Sequence, residues 1–227
     1  ADGRSRVDFV QGSEREIAIL FADIRGFTAL AEGRLPYDVV FVLNRYFSAM
    51  GRAIESAGGR VDKFIGDGVM ALFGIESGAQ AGCRAALAAA RLMSERLGEL
   101  NLSLRAELDR PLRIGIGIHS GPVIVGEMGY GSAAAITAIG DAVNTASRLE
   151  ALTKDYDCEL VVSDETVARA GLDFSESPRQ EIEIRGKREM LAVTTFDRAA
   201  DLPHPAAAIR HSEPPVATPT AVPADPH

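Results

Sequence analysis

The sequence predicts an α+β fold: a ferredoxin-like βαββαβ core extended by extra C-terminal strands. Three observations predict it. Short β-branched runs alternate with longer segments whose apolar residues recur at helical spacing, so strands and helices mix within one body. The segments follow the order strand, helix, strand, strand, helix, strand, that of a split βαβ unit with its helices on one face of the sheet. Between residues 14 and 198 nothing reads as a repeat or a second linker, so one domain must hold them all.

Ile17 to Ala22 is an apolar run ending on Asp23, with charges upstream and Gly26 downstream, which predicts a buried strand. Ile24-Arg25-Gly26-Phe27-Thr28 then turns from that strand into a short helix. Pro36 opens a longer helix in which Val39, Val40, Leu43, Phe47, Met50 and Ile54 keep helical spacing until Gly58-Gly59 stops it. Val61 to Ile65 and Val69 to Phe73 flank Gly66-Asp67-Gly68, a hairpin signature that places one carboxylate at the tip. An Ala-rich helix follows from about Ala79 to Leu100. Leu112 to His119 and Val123 to Val125 are β-branched and read as two strands broken by Gly121-Pro122. Asp141 to Thr153 reads as a helix opened by a capping residue, Glu159 to Val162 as a strand, and Ser163 as the cap of a short helix. Gln180 to Ile184 and Met190 to Phe196 are the late strands, meeting around Gly186.

The ends differ in character from the middle. Residues 1–13 read as a linker, and residues 199–227 hold seven of the eleven prolines without apolar periodicity, as an extended or disordered tail would. A first residue of Ala rather than Met fits a piece of a longer protein, whose upstream region could be membrane-bound. Nothing in this chain itself reaches ~18 uninterrupted apolar residues or resembles a signal peptide, so no membrane contact is expected from it. The 227 residues carry 24 Lys and Arg against 32 Asp and Glu, a net charge of −8, which argues against broad adhesion to nucleic acid or an anionic membrane. Two cysteines, Cys83 and Cys158, are too few for a disulfide scaffold or a cysteine-based zinc site and fit a reducing, cytoplasmic setting.

Two aspartates sit where chemistry is possible. Asp23 closes one strand, and Asp67 stands between two glycines at the tip of a hairpin. Each taken alone reads as a cap or turn residue. On neighbouring strands of one sheet, however, the two could share hard cations, because Mg²⁺ prefers one or two protein carboxylates plus phosphate oxygens. The turn at Gly26, Phe27 and Thr28 exposes backbone N–H groups that could form a nest for an anion. Asn144 and Arg148 are four residues apart, so both project from one helix face. That face is either a solvated polar stripe or a platform from which a guanidinium meets charge developing on phosphorus.

These residues fall into four blocks: Phe21-Ala22-Asp23-Ile24-Arg25-Gly26-Phe27-Thr28, Lys63-Phe64-Ile65-Gly66-Asp67-Gly68, Gly117-Ile118-His119-Ser120-Gly121, and Gly140-Asp141-Ala142-Val143-Asn144-Thr145-Ala146-Ser147-Arg148-Leu149-Glu150. In that order, from about Arg15 to Phe196, they closely resemble the class III nucleotidyl cyclase catalytic domain. The resemblance implies that fold, and a head-to-tail homodimer with two composite sites. It implies that Asp23, Asp67 and the Ile24 carbonyl of one protomer hold two Mg²⁺ or Mn²⁺ ions. The other protomer would supply Asn144 to orient the ribose and Arg148 to stabilise the transition state as the 3′-hydroxyl attacks the α-phosphorus and pyrophosphate leaves. No side chain stands out as a base.

The same resemblance bears on the purine. Lys63, four residues before Asp67, matches the adenine-selecting residue, where guanylyl cyclases carry an acid. Thr137, seven before Asn144, matches the second base-reading position. Thr there is found in a subclass that includes bicarbonate-responsive adenylyl cyclases. A lysine can donate to adenine N1 and a threonine oxygen can accept from the exocyclic amine, whereas guanine presents a donor at N1. Lys187 resembles the family's phosphate-binding lysine, with Arg185 and Arg188 beside it. Many relatives place an arginine four residues before His119, where this chain has Gly115, so Arg113 departs from the pattern, and His119 itself reads as a core histidine. The expected activity is adenylyl cyclase: ATP to 3′,5′-cyclic AMP and pyrophosphate, with bicarbonate as an activator. A guanylyl or dual-specificity cyclase is the alternative within the class, and a catalytically silent nucleotide-binding dimerisation module is the alternative outside it.

Overall fold

The computed structural model describes residues 12–131, 134–183 and 190–203. Eight strands form one sheet: β1 (Ser13–Ile24), β2 (Arg60–Ile65), β3 (Gly68–Phe73), β4 (Ile114–Met128), β5 (Ala135–Ile139), β6 (Leu160–Ser163), β7 (Arg179–Glu183) and β8 (Met190–Phe196). Its helices are α1 (Phe27–Glu32), α2 (Pro36–Ser56), α3 (Ala79–Ser103), α4 (Asp141–Asp155) and α5 (Asp164–Ala170). The strand order β2-β3-β1-β4-β6-β8-β7, with β5 pairing β4, contains the predicted unit: β1-α2-β2-β3-α3-β4 lies side by side as β2-β3-β1-β4. Among the described residues only β4 and β6 pair in parallel.

Alternation along β1 divides the core. Ala18, Leu20, Ala22 and Ile24 face one side with α2, α3 and α5, while Ile17 and Ile19 face the other with Ala142 and Ala146 of α4. The expectation of helices on one face thus holds for α2 and α3 of the βαββαβ unit and is corrected for α4, which covers the opposite face. The small residues of α4 let that helix cover the second face as closely as the glycines of β4 allow. A side chain at Gly117 would collide with the backbone N–H of Glu150 and come within 2.5 Å of the Ala146 carbonyl.

Other departures have local causes. β4 runs unbroken through Gly121-Pro122, because its pairing with β6 ends at Ile118 and that with β5 begins at Ile124. Pro122 thus sits where the strand has β1 alone as a neighbour, opposite Glu16, and its missing N–H interrupts no second ladder. Helix α4 starts at Gly140 with no side-chain cap, and Asp141 contributes instead as an acid in the first turn. Ser163 does cap α5, accepting from the Thr166 N–H. Beyond residue 198 the packed body continues through a 3₁₀ turn, Ala199–Asp201, with Ala199 and Leu202 buried against the core. The Ala199 N–H donates to Glu159 Oε2 at 2.9 Å, which fixes that exit. No helix among the described residues is long and apolar enough to cross a membrane.

Candidate active site

Asp23 lies at the end of β1, opposite Gly115 of β4, and Asp67 at the two-residue tip joining β2 to β3, where Gly66 adopts φ +62°. Gly68 is what lets them meet: a side chain there would come within 3.2 Å of the Ala22 carbonyl and 3.5 Å of Asp23 Oδ1. The Asp67 carboxyl is pushed up to about 6, first by burial and then by its hydrogen bond to Asp23 and the charge of Asp23. The Ile24 N–H donates to Asp23 Oδ1 at 3.0 Å, so the strand end also holds the first carboxylate in place.

The two aspartates line a cleft of about 190 Å³ with Phe21, Ile65, Ser147 and Glu150. Glu150 is an addition to the sequence reading. Burial, then the charge of Asp23, raises its carboxyl above the usual range, and its Oε1 is buried without a hydrogen-bond partner among the described residues. Tyr46 of α2 is a second addition: fully buried, its hydroxyl likewise unpartnered among those residues, its phenol pushed up by burial and by Asp23, Asp67 and Glu150. Negative charge held this closely in a partly dry site calls for a cation. Among the described residues no three His, Cys, Asp or Glu side chains are grouped to hold a metal by themselves. Two carboxylates with open positions for carbonyl, water and substrate oxygens is the donor set that suits Mg²⁺, and the residues present fit it.

The other predicted residues gather elsewhere. Lys63 and Thr137 meet at Asp62, whose Oδ2 accepts from Thr137 Oγ1 at 2.8 Å and lies 3.2 Å from Lys63 Nζ. Asn144 is exposed and Arg148 half-buried on α4, and neither lines the carboxylate cleft. Gly26, at φ +67°, opens α1 with Phe27 and Thr28 in its first turn. Lys187, with Arg185 and Arg188, lies outside the described residues.

The arginines that follow β1 and precede β4 are also placed. Arg25 lays its guanidinium over Gly115, within 2.9 Å of where a side chain would begin there, and donates to the Cys158 carbonyl at 3.0 Å. Arg113 makes a surface pair with Asp157 at 2.7 Å. Both line a 690 Å³ groove with Arg34 and Arg110, beside Gly26. His119 is buried, its Nδ1 2.8 Å from Ser163 Oγ, which ties β4 to the start of α5 and gives the ring a structural place.

Residues 9–196 match the adenylate and guanylate cyclase catalytic domain. The chain belongs to that family. It is 37% identical over 198 residues to an adenylate cyclase of Anabaena cylindrica, an alignment covering 84% of this chain and 38% of that protein. This chain therefore spans well under half the length of that relative. Among solved structures, the cyclase domain resembles the guanylyl cyclase Cya2 (32% identity, TM-score 0.73, covering 81% of this chain and 92% of that one). It also resembles the adenylyl cyclase CyaB from P. aeruginosa (30% identity, TM-score 0.69, 85% and 99%).

Proposed function

We propose that two copies of this chain associate head to tail and that each interface site converts ATP to 3′,5′-cyclic AMP and pyrophosphate. The observation that carries this reading is a separation. One protomer gathers Asp23 and Asp67 in a cleft that Lys63, Thr137, Asn144 and Arg148 do not line, which supports a site in which the residues suited to ions meet those suited to base, ribose and phosphate from a second chain. Apolar side chains exposed on four elements give such an interface its area: Tyr37, Val40 and Phe41 on α2, Phe64 and Ile65 on β2, and the directly paired Ile124 and Ile139 on β4 and β5.

In this reading Asp23, Asp67 and the Ile24 carbonyl hold two Mg²⁺ or Mn²⁺ ions. When bound, these lower the pKa of the ribose 3′-hydroxyl and neutralise phosphate charge. The turn at Gly26, Phe27 and Thr28 offers backbone N–H groups to the triphosphate, joined by the Lys187 ammonium. The partner protomer's Asn144 orients the ribose, and Arg148 on the same helix face meets the charge that grows on the α-phosphate as the 3′-oxygen attacks in line. Lys63 donates to adenine N1, and the Thr137 oxygen accepts from the exocyclic amine. ATP as substrate places the domain in the cytoplasm, alone or as the cytoplasmic part of a membrane-attached protein. Thr137 also motivates activation by bicarbonate, a reading removed if cyclic AMP output stays flat when bicarbonate is added at fixed pH.

Complementation tests the composite site. Asp23→Ala and Arg148→Ala should each lose at least ~10³-fold in turnover with ATP and Mn²⁺. Their mixture should regain part of the activity, because random pairing gives some dimers one intact site. A mixture as silent as its components would sink the shared site. Rates with ATP and GTP at equal metal decide the purine, since Cya2 is a guanylyl cyclase.

A further inference from the structure

Asp62 plays no part in the scheme above, yet it is the residue on which the two base-reading side chains converge. Its side chain is wholly buried at a bulge in β2, between Val61 and Lys63, where the pairing with β3 slips by one residue. That slip lets two successive side chains, Asp62 and Lys63, act at one place. Oδ2 accepts from Thr137 Oγ1 at 2.8 Å, although β5 and β2 are not neighbours in the sheet, and lies 3.2 Å from Lys63 Nζ. Oδ1 is buried without a hydrogen-bond partner among the described residues. A buried carboxylate with one oxygen unused weakens a fold, so its presence at this spot asks for a reason beyond packing.

The reason lies in the direction of a proton. A hydroxyl can donate or accept, so a free threonine would serve adenine's exocyclic amine and guanine's O6 equally well by rotating. An ionised carboxylate only accepts, so Asp62 takes the Thr137 proton and leaves the threonine oxygen with lone pairs alone. It also tethers the Lys63 ammonium, which only donates. We propose that Asp62 is a positioning residue for purine selection: it fixes Thr137 as acceptor beside Lys63 as donor, a pattern that matches adenine's amine and N1. Guanine would present O6 to the acceptor and N1–H to the donor, a mismatch at both. This inference rests on the adenylyl cyclase reading and adds to it the group that sets the polarity.

The test is the ratio of kcat/KM for ATP to that for GTP, measured on the full chain. Asp62→Asn replaces the carboxylate by an amide that can donate to Thr137, freeing its hydroxyl proton for guanine O6, and the ratio should fall at least about tenfold. Asp62→Glu keeps an acceptor and should hold the ratio to within about threefold of the wild type. Asp62→Ser removes the charge in a smaller side chain and should lower the ratio too, which keeps the test open if the asparagine variant does not fold. A merely structural role would slow both nucleotides in parallel, so an unchanged ratio in the neutral variants overturns the proposal. A wild-type chain that does not cyclise ATP at all would instead overturn the functional reading on which it stands.

Discussion

The two halves of the site are built on opposite principles. The carboxylate half is the more enclosed and is crowded with acid: Asp23, Asp67 and Glu150, all half-buried, share one small cleft, burial and neighbouring charge raise the carboxyls of Asp67 and Glu150, and buried oxygens on Glu150 and Tyr46 lack partners among the described residues. The half proposed to read the nucleotide is open. Asn144 is exposed, Lys63 stands on the edge strand β2, and beneath it Asp62 accepts a hydrogen bond from Thr137. Among the described residues the carboxylate cleft is lined by no basic side chain, while the other half presents Asn144 and Lys63 to solvent. Helix α4 joins them in the proposed site, since Ser147 and Glu150 line the carboxylate cleft and Asn144 and Arg148, on the same helix, do not.

Displacing that helix should break both halves at once. Gly117→Ala puts a methyl group into the backbone of α4 at Ala146 and Glu150, with no flexible side chain to give way. Overpacking of this kind costs about 1–3 kcal/mol. Thermal unfolding should report it, and turnover should fall at least ~100-fold in the fraction still folded, since small misplacements are expensive in catalysis. A variant with wild-type turnover would show that α4 need not sit where Gly117 lets it. A narrower change, Arg148→Lys, keeps the charge and removes the planar fork. It should cost about 10²-fold in kcat with little change in KM or in melting temperature, separating the open half from the enclosed one.

The two aspartates of the enclosed half were legible in the sequence, because Asp23 closes an apolar run and Asp67 stands between two glycines at a hairpin tip, signals that are local. Glu150 and Tyr46 were not legible. Their part depends on which helix faces come to rest against β1, and the expectation of helices on one face put α4 on the wrong side. In the open half, Lys63 and Thr137 were named from resemblance alone. β5, which carries Thr137, is a five-residue run with no strand reading of its own, and it takes its conformation from pairing with β4. Asp62 looked like any charged residue of an edge strand. Only the bulge in β2 turns it inward, and bulges leave little trace in composition.

The enclosed half also makes a prediction that needs no substrate. In the metal-free protein Asp67 titrates at about 6, against an ordinary value of 3.8 that applies to the unfolded chain. The folded state therefore holds the extra proton between those two values. Its stabilising effect is complete below the lower value and is lost as pH rises through the upper one. Glu150, raised in the same direction, adds to the trend. In chelator the melting temperature should therefore decline by a few degrees between pH 5 and pH 7, and Asp67→Asn, which removes one of the two like charges, should flatten that decline. Added Mg²⁺ should do the same to the wild type by occupying the carboxylates above pH 6, while leaving the asparagine variant nearly unmoved. Parallel melting curves for the two proteins in chelator would mean that Asp23 and Asp67 do not repel each other, and the case for a cation between them would go with it.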